Sequence, residues 1–214
     1  MARSMILVSV LVVALLGAVA GTTAQEASPA ASPPAGAIDV ALRDVEGQEV
    51  GRATLTEAEA GAVAIEVSVE GLAPGEHGIH IHAVGVCDPA GDTPFASAGG
   101  HYNPMGAVHG GPPTMEAMGT PEADDAMGSP VAASGHAGDL GNITVDEAGA
   151  GQLQISTDRF RLMELDDADG SALVIHADPD DLQTDPSGNS GGRIVCGVIV
   201  PSPEGGTPVA TPAS

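Results

Sequence analysis

The sequence predicts an all-β fold, an antiparallel β-sandwich or flattened eight-stranded barrel with two long functional loops, from three observations. Apolar residues alternate with period two in several short runs, glycine- and proline-rich turns separate the runs, and no long stretch carries a helical stripe. Ile38, Val40 and Leu42 alternate with Asp39 and Ala41, and Val63, Ile65, Val67 and Val69 share one face against Ala64, Glu66 and Ser68. Further strands are expected over residues 50–55, 77–82, 142–145, 152–156, 173–176 and 195–200. Two segments, 83–141 and 177–192, are too long and polar for hairpin turns, and long loops on a rigid sheet are where function tends to sit. With Phe95, Tyr102 and Phe160 as the aromatic residues, the core has to be packed from Val, Ile, Leu and Ala, so cross-links and bound metals gain weight in stability.

The ends read differently. Residues 1–24 carry Arg3, an apolar run over 5–16 and small residues around Ala18 and Ala20, the pattern of an export signal peptide; an uncleaved anchor is the alternative, although the run is short for a membrane span. Residues 25–36 form an Ala/Ser/Pro-rich linker, 37–200 the folded domain, and 201–214 a disordered tail of the same composition. The expected location is outside the cytoplasm: extracellular, periplasmic or associated with the cell envelope. No stable membrane insertion is expected after cleavage.

All six basic residues are arginine against 29 acidic ones, for a formal charge of −23. Such a surface repels nucleic acid and anionic membranes, which excludes both as partners, and it repels anionic substrates as well. Cys87 and Cys196 are the two cysteines, and in an exported chain an even count reads more simply as one disulfide than as two unrelated thiols. The cross-link would close a long loop, worth on the order of 4 kcal/mol in the chain-entropy model.

Seven histidines cluster in or beside the strands and long loops: His77, His80, His82, His101, His109, His136 and His176. In His80-Ile81-His82 the spacing of two on a strand sends both imidazoles to one face while Ile79 and Ile81 enter the core, which makes a two-nitrogen chelate. His101 and His109 share one loop, His136 and Asp139 lie three apart, and His176 ends an apolar strand. Imidazoles suit copper and zinc, and a carboxylate among imidazoles favours zinc, so two metal sites are chemically reasonable. Solvated loop histidines would explain any one of the seven but not the set.

Six stretches carry a resemblance that spacing alone does not supply. They are residues 75–82 (GEHGIHIH), 97–104 (SAGGHYNP), 109–112 (HGGP), 136–142 (HAGDLGN), 174–176 (VIH) and 192–199 (GRIVCGVI), in family order across most of 37–200. In them the chain resembles the copper,zinc superoxide dismutases, secreted bacterial members in particular. The resemblance implies a Greek-key β-sandwich or flattened barrel binding one copper and one zinc per subunit. It makes His80, His82, His101 and His176 the copper ligands, with His101 bridging to a zinc held by His109, His136 and Asp139. It also makes Asp180 a carboxylate linking a copper-ligand histidine to a zinc-ligand histidine, His77 structural, and Cys87 and Cys196 a disulfide pair. Superoxide is the implied substrate, dismutated to molecular oxygen and hydrogen peroxide as antioxidant defence, with Arg193 orienting the anion and His101 returning a proton. A homodimer and a monomer are both compatible with the sequence.

Two departures bear on function. Family members usually carry lysines in the loop before the arginine, but residues 178–192 contain none and include Asp178, Asp180, Asp181 and Asp185. Capture of superoxide is therefore expected to depend on the local field of copper and Arg193. The second departure is a flexible insert at about 112–135, with Met115, Met118 and Met127. Its composition matches the linker, which favours a polar insert over a copper-acquisition arm. A non-catalytic metal-binding protein is the main alternative function, set against by the retained Arg193 and His101; a purely structural sandwich would not require seven placed histidines.

Overall fold

The computed structural model describes residues 36–112 and 135–203; the expected signal peptide, nearly all of the linker, the body of the insert and most of the tail lie outside these. Eight strands follow in order: β1 (Ile38–Asp44), β2 (Glu49–Glu57), β3 (Val63–Val69), β4 (Gly75–His82), β5 (Asp139–Val145), β6 (Gly151–Thr157), β7 (Ser171–His176) and β8 (Arg193–Val200). They form one closed antiparallel barrel in the order β1-β2-β3-β6-β5-β4-β7-β8. The neighbouring antiparallel strands β4, β5 and β6, the first two joined by the long 83–138 loop and the last two by a short turn, have β7 returning beside β4, which is the strand order of a Greek key. Closure is thin at two places: β5 meets β6 at Val145 and Gly151, and β1 meets β8 at Arg43–Cys196 and Asp44–Val195. The closed eight-stranded antiparallel barrel agrees with the all-β fold that the sequence led one to expect.

Alternation decides which side chains enter. Val40 and Leu42 of β1, Ala53 and Leu55 of β2, and Val63, Ile65, Val67 and Val69 of β3 are buried, alternating with neighbours that are more exposed. The pattern changes on β4 and β7. From His77 onward every residue of β4 is buried, as is every residue of β7, because long loops cover the outer face of these strands as well. Ile79, Ile81, Leu173 and Ile175 join the barrel core, while Ala172 and Val174 pack outside it with Phe95, Ala98 and Cys196. The face presenting His80 and His82 is therefore dry without being part of the core.

The Cys87–Cys196 disulfide is formed, with Cα atoms 5.7 Å apart, and ties the first long loop to β8. Most strands run one or two residues beyond the expected bounds, and the largest difference is at β5, which starts at Asp139 rather than 142. A register shift between Gly78 and His80 lets Asp139 pair opposite His80, which extends the strand back to the carboxylate. A one-residue irregularity of this kind leaves no mark in hydrophobic periodicity. Among the described residues no helix is long and apolar enough to cross a membrane.

Candidate metal centre

Strands β4 and β7 deliver three histidines to one place. His80 and His82 project from the loop-covered face of β4, and His176 ends β7 beside them. His101 arrives from the first long loop, held against β4 by an isolated bridge to His82. Gly138 builds the same corner: Ile81 N–H donates to its carbonyl at 2.9 Å, and its own N–H donates to Tyr102 O at 2.8 Å. A Cβ at Gly138 would stand 2.3 Å from Ile81 O, so only glycine lets this strand, the 101–102 segment and the 136–139 turn meet.

The donor atoms fall into two groups that share one ring. His80, His82, His101 and His176 offer nitrogens all within 4.8 Å of one another, and so do His101, His109 and His136 together with a carboxylate oxygen of Asp139. In the first group His82 Nε2 lies 3.5 Å from His176 Nε2. Their other nitrogens face backbone carbonyls, His82 Nδ1 at 3.0 Å from Gly99 O and His176 Nδ1 at 3.2 Å from Gly191 O. With Nδ1 donating to a carbonyl, the Nε2 lone pairs are free to point at each other's neighbourhood. In the second group His101 Nδ1 is 2.8 Å from Asp139 Oδ1, His136 Nδ1 is 3.3 Å from both His101 Nδ1 and Asp139 Oδ1, and His109 Nδ1 is 3.1 Å from Asp139 Oδ2. Donors about 2.0 Å from a common centre in a tetrahedron stand roughly 3.3 Å apart, so this spacing suits a four-coordinate cation.

A metal fits on a further observation. His80 Nδ1, His101 Nε2 and His109 Nδ1 are fully buried and have no hydrogen-bond partner. A buried, unsatisfied lone pair is costly unless something binds it. His101 is common to both groups, with Nδ1 facing Asp139 and His136 and Nε2 left without a partner.

Asp180 joins the groups from behind. Its Oδ2 lies 2.8 Å from His80 Nε2 and its Oδ1 2.9 Å from His109 Nε2, with all three side chains buried. Sequence reasoning assigned no role to the partner that aims it. Asn142 accepts from Asp180 N–H at 2.7 Å and donates to Asp180 O at 3.0 Å, and its place at the end of the HAGDLGN stretch was the available signal. Asp185 was also unassigned; it accepts the His109 backbone N–H and sits 3.9 Å from His136 Nε2. His77 has both nitrogens 2.8 Å from carbonyls, those of His176 and Ala73, so it ties strands and offers no donor to a cation.

Burial pushes His80 down to about 4, with His101 adding to the fall and Asp180 opposing it. Burial likewise lowers His176 to about 3 and His82 well below its ordinary value; His101 and Arg193 push both the same way, with His80 also acting on His176 and His176 on His82. These imidazoles are neutral at ordinary pH, the form that ligates. For Asp180, burial pushes the carboxyl up, but hydrogen bonds with His80, His109 and Leu182 N–H outweigh it and hold the group at about 2. Arg193 is half-buried and donates to the carbonyls of Phe95 and Gly99. Among the described residues no carboxylate pairs with it, so its charge is uncompensated beside the first histidine group.

The lowered histidines have a consequence for the metal-free protein. Above about pH 6.5 they are neutral folded or unfolded; between there and about pH 4 the unfolded chain takes up protons that the folded chain refuses. Stability is expected to fall with acidification across this window by ~1 kcal/mol per pH unit for each such ring. Asp180 adds to the loss only as pH drops through its ordinary range toward about 2. Urea unfolding of chelator-treated protein at pH 7 and pH 5 measures it; equal midpoints would contradict the lowered values.

Comparison with known proteins supplies the rest. A family model described as copper/zinc superoxide dismutase matches residues 49–199. The chain is 42% identical over 166 residues to a Cu-Zn superoxide dismutase of Deinococcus radiodurans, covering 74% of this chain and 81% of that one. It is 38% identical over 164 residues to Cu-Zn superoxide dismutase 2 of Aquifex aeolicus, covering 74% and 83%. Among solved structures, a SOD-like protein from Bacillus subtilis matches with a TM-score of 0.57 at 33% identity, over 75% of this chain and 97% of that one. The Cu/Zn superoxide dismutase of Brucella abortus matches with the same TM-score of 0.57 at 28% identity, over 76% and 99%.

Proposed function

Because the chain belongs to the copper/zinc superoxide dismutase family, we propose that His80, His82, His101 and His176 hold its copper, and His101, His109, His136 and Asp139 its zinc. The protein dismutates superoxide, converting two superoxide anions and two protons to molecular oxygen and hydrogen peroxide. When bound, copper would supply a one-electron redox couple and zinc a fixed positive charge. The single observation that carries the assignment is His101, the ring common to both donor groups, whose Nδ1 faces Asp139 and whose buried Nε2 has no partner.

Each residue has a task that follows from its placement. His82 and His176 are held by the Gly99 and Gly191 carbonyls with Nε2 turned inward. Asp180 fixes the tautomers of His80 and His109 together, so the two sites are oriented by one carboxylate. His101 Nε2 is the atom that can carry a proton whenever its lone pair is released, and a reduced superoxide needs that proton. Arg193 contributes a full charge and spare N–H groups where an anion would approach.

The disulfide fits an oxidising compartment, and with the export signal read from residues 1–24 it supports a place outside the cytoplasm, whether extracellular, periplasmic or on the cell envelope. The test is the purified protein loaded with both metals and assayed for superoxide removal; one copper and one zinc per chain without turnover would leave a metal store. Ionic strength offers a second check. With no lysine and a charge of −23, the chain lacks a long-range attractive field, so kcat/KM is expected to change little or rise between about 10 and 200 mM salt. A steep fall would mean that attraction beyond Arg193 guides the anion.

A further inference from the structure

The insertion separates two zinc-site histidines, and the structure contains a tie across its base. Arg159, in the turn after β6, donates from Nη1 to Gly111 O at 3.0 Å and to His136 O at 3.2 Å. Gly111 and His136 flank the insert. The amides of the same two stems converge on the other side: Gly110 N–H donates to Asp139 Oδ2 at 3.0 Å and His136 N–H to the same oxygen at 2.8 Å. One cation gathers the stem carbonyls and one anion gathers the stem amides.

One further observation makes this a built arrangement. Gly135 sits at φ +124, and a Cβ there would stand 2.7 Å from Arg159 Nη1 and 3.1 Å from Gly111 O. A side chain at 135 would occupy the guanidinium's place.

We propose that Arg159 is a positioning residue that closes the insert at its base and so holds His109 and His136 at the spacing the second metal requires. It touches neither metal nor substrate and acts through the backbone of the stems. The physical need follows from loop length: a longer connection costs more entropy to close, and the clamp keeps that cost from reaching the ligands. The proposal rests on the reading that His101, His109, His136 and Asp139 form the zinc site.

Its test compares Arg159→Met, Arg159→Lys and Arg159→Gln in the full chain loaded with copper and zinc, followed by release of each metal to a chelator. Zinc is expected to leave Arg159→Met about tenfold faster, the scale of a lost outer partner, with copper release changed less than about twofold. Lysine and glutamine, each able to reach one carbonyl, should fall between and carry the comparison if the methionine variant does not fold. Co(II) placed in the zinc site should show an altered visible spectrum in Arg159→Met, which a general loss of stability would not produce. In metal-free protein, amide exchange at Gly110 and His136 should quicken about tenfold in the variant while β3 amides stay unchanged. Unchanged zinc release and unchanged exchange overturn the clamp, as does equal acceleration of both metals. A wild-type chain that takes no zinc overturns the site assignment instead, and the amide exchange then decides the clamp by itself.

Discussion

Replacing His101 with alanine is expected to abolish superoxide removal, by about a thousandfold or more, and to weaken both metal sites in one step. Outer partners of ligating histidines already cost about 10–100-fold when lost, and His101 is the donor common to both groups. Its neighbours should behave differently. His82→Ala removes a donor from the first group alone and His136→Ala from the second alone, so metal analysis should show copper depleted in one variant and zinc in the other. Measured side by side, the three variants separate a shared ring from two independent sites. Retention of both metals with activity within tenfold of the parent in His101→Ala would remove the bridge and the assignment built on it.

The second large effect is at Arg193. Removing a unit charge about 6 Å from an approaching anion, at an effective dielectric of roughly 20 to 40, costs about 1.4–2.8 kcal/mol, or roughly 10- to 100-fold in kcat/KM. Charge reversal in Arg193→Glu should cost more than Arg193→Ala, because it sets a like charge in the path of the anion. The nearest basic residue earlier in the sequence is Arg161, and none follows Arg193. Copper and zinc content should be unchanged, since the guanidinium donates to the carbonyls of Phe95 and Gly99 and holds no ligand carboxylate. Rate measurements by pulse generation of superoxide, with metal content in parallel, check both halves. A variant that keeps its full rate would place substrate guidance elsewhere.

These two expectations rest on residues of different legibility. His80 and His82 were readable as a chelate from spacing alone, because period-two geometry sends both rings to one face. His101, His109, His136 and Asp139 were grouped through family resemblance, since their separations in sequence carry no geometric rule. Arg193 stood out because the chain has so few cations. Arg159 carried no signal: an arginine after a strand is ordinary until the fold brings Gly111 and His136 to it. Asn142 was marked only by its place in the HAGDLGN stretch and Asp185 only by its charge, since a side chain that orients another does so through contacts made across the fold.

What the sequence determined by itself was the strand pattern, the turn positions, the sign of the surface and the identity of the donor atoms, because each follows from local periodicity or from residue chemistry. All eight strands appear where apolar alternation or an apolar run placed them, most of them one or two residues longer at an end and β5 three residues longer at its start. The tertiary structure decided which donors face which. His101 meets Asp139 only because Gly138 lets the 101–102 segment, the 136–139 turn and β4 close on one another. Distances between residues far apart in the chain are set by register, bulges and backbone crossings. None of these is written in the order of amino acids at any one position.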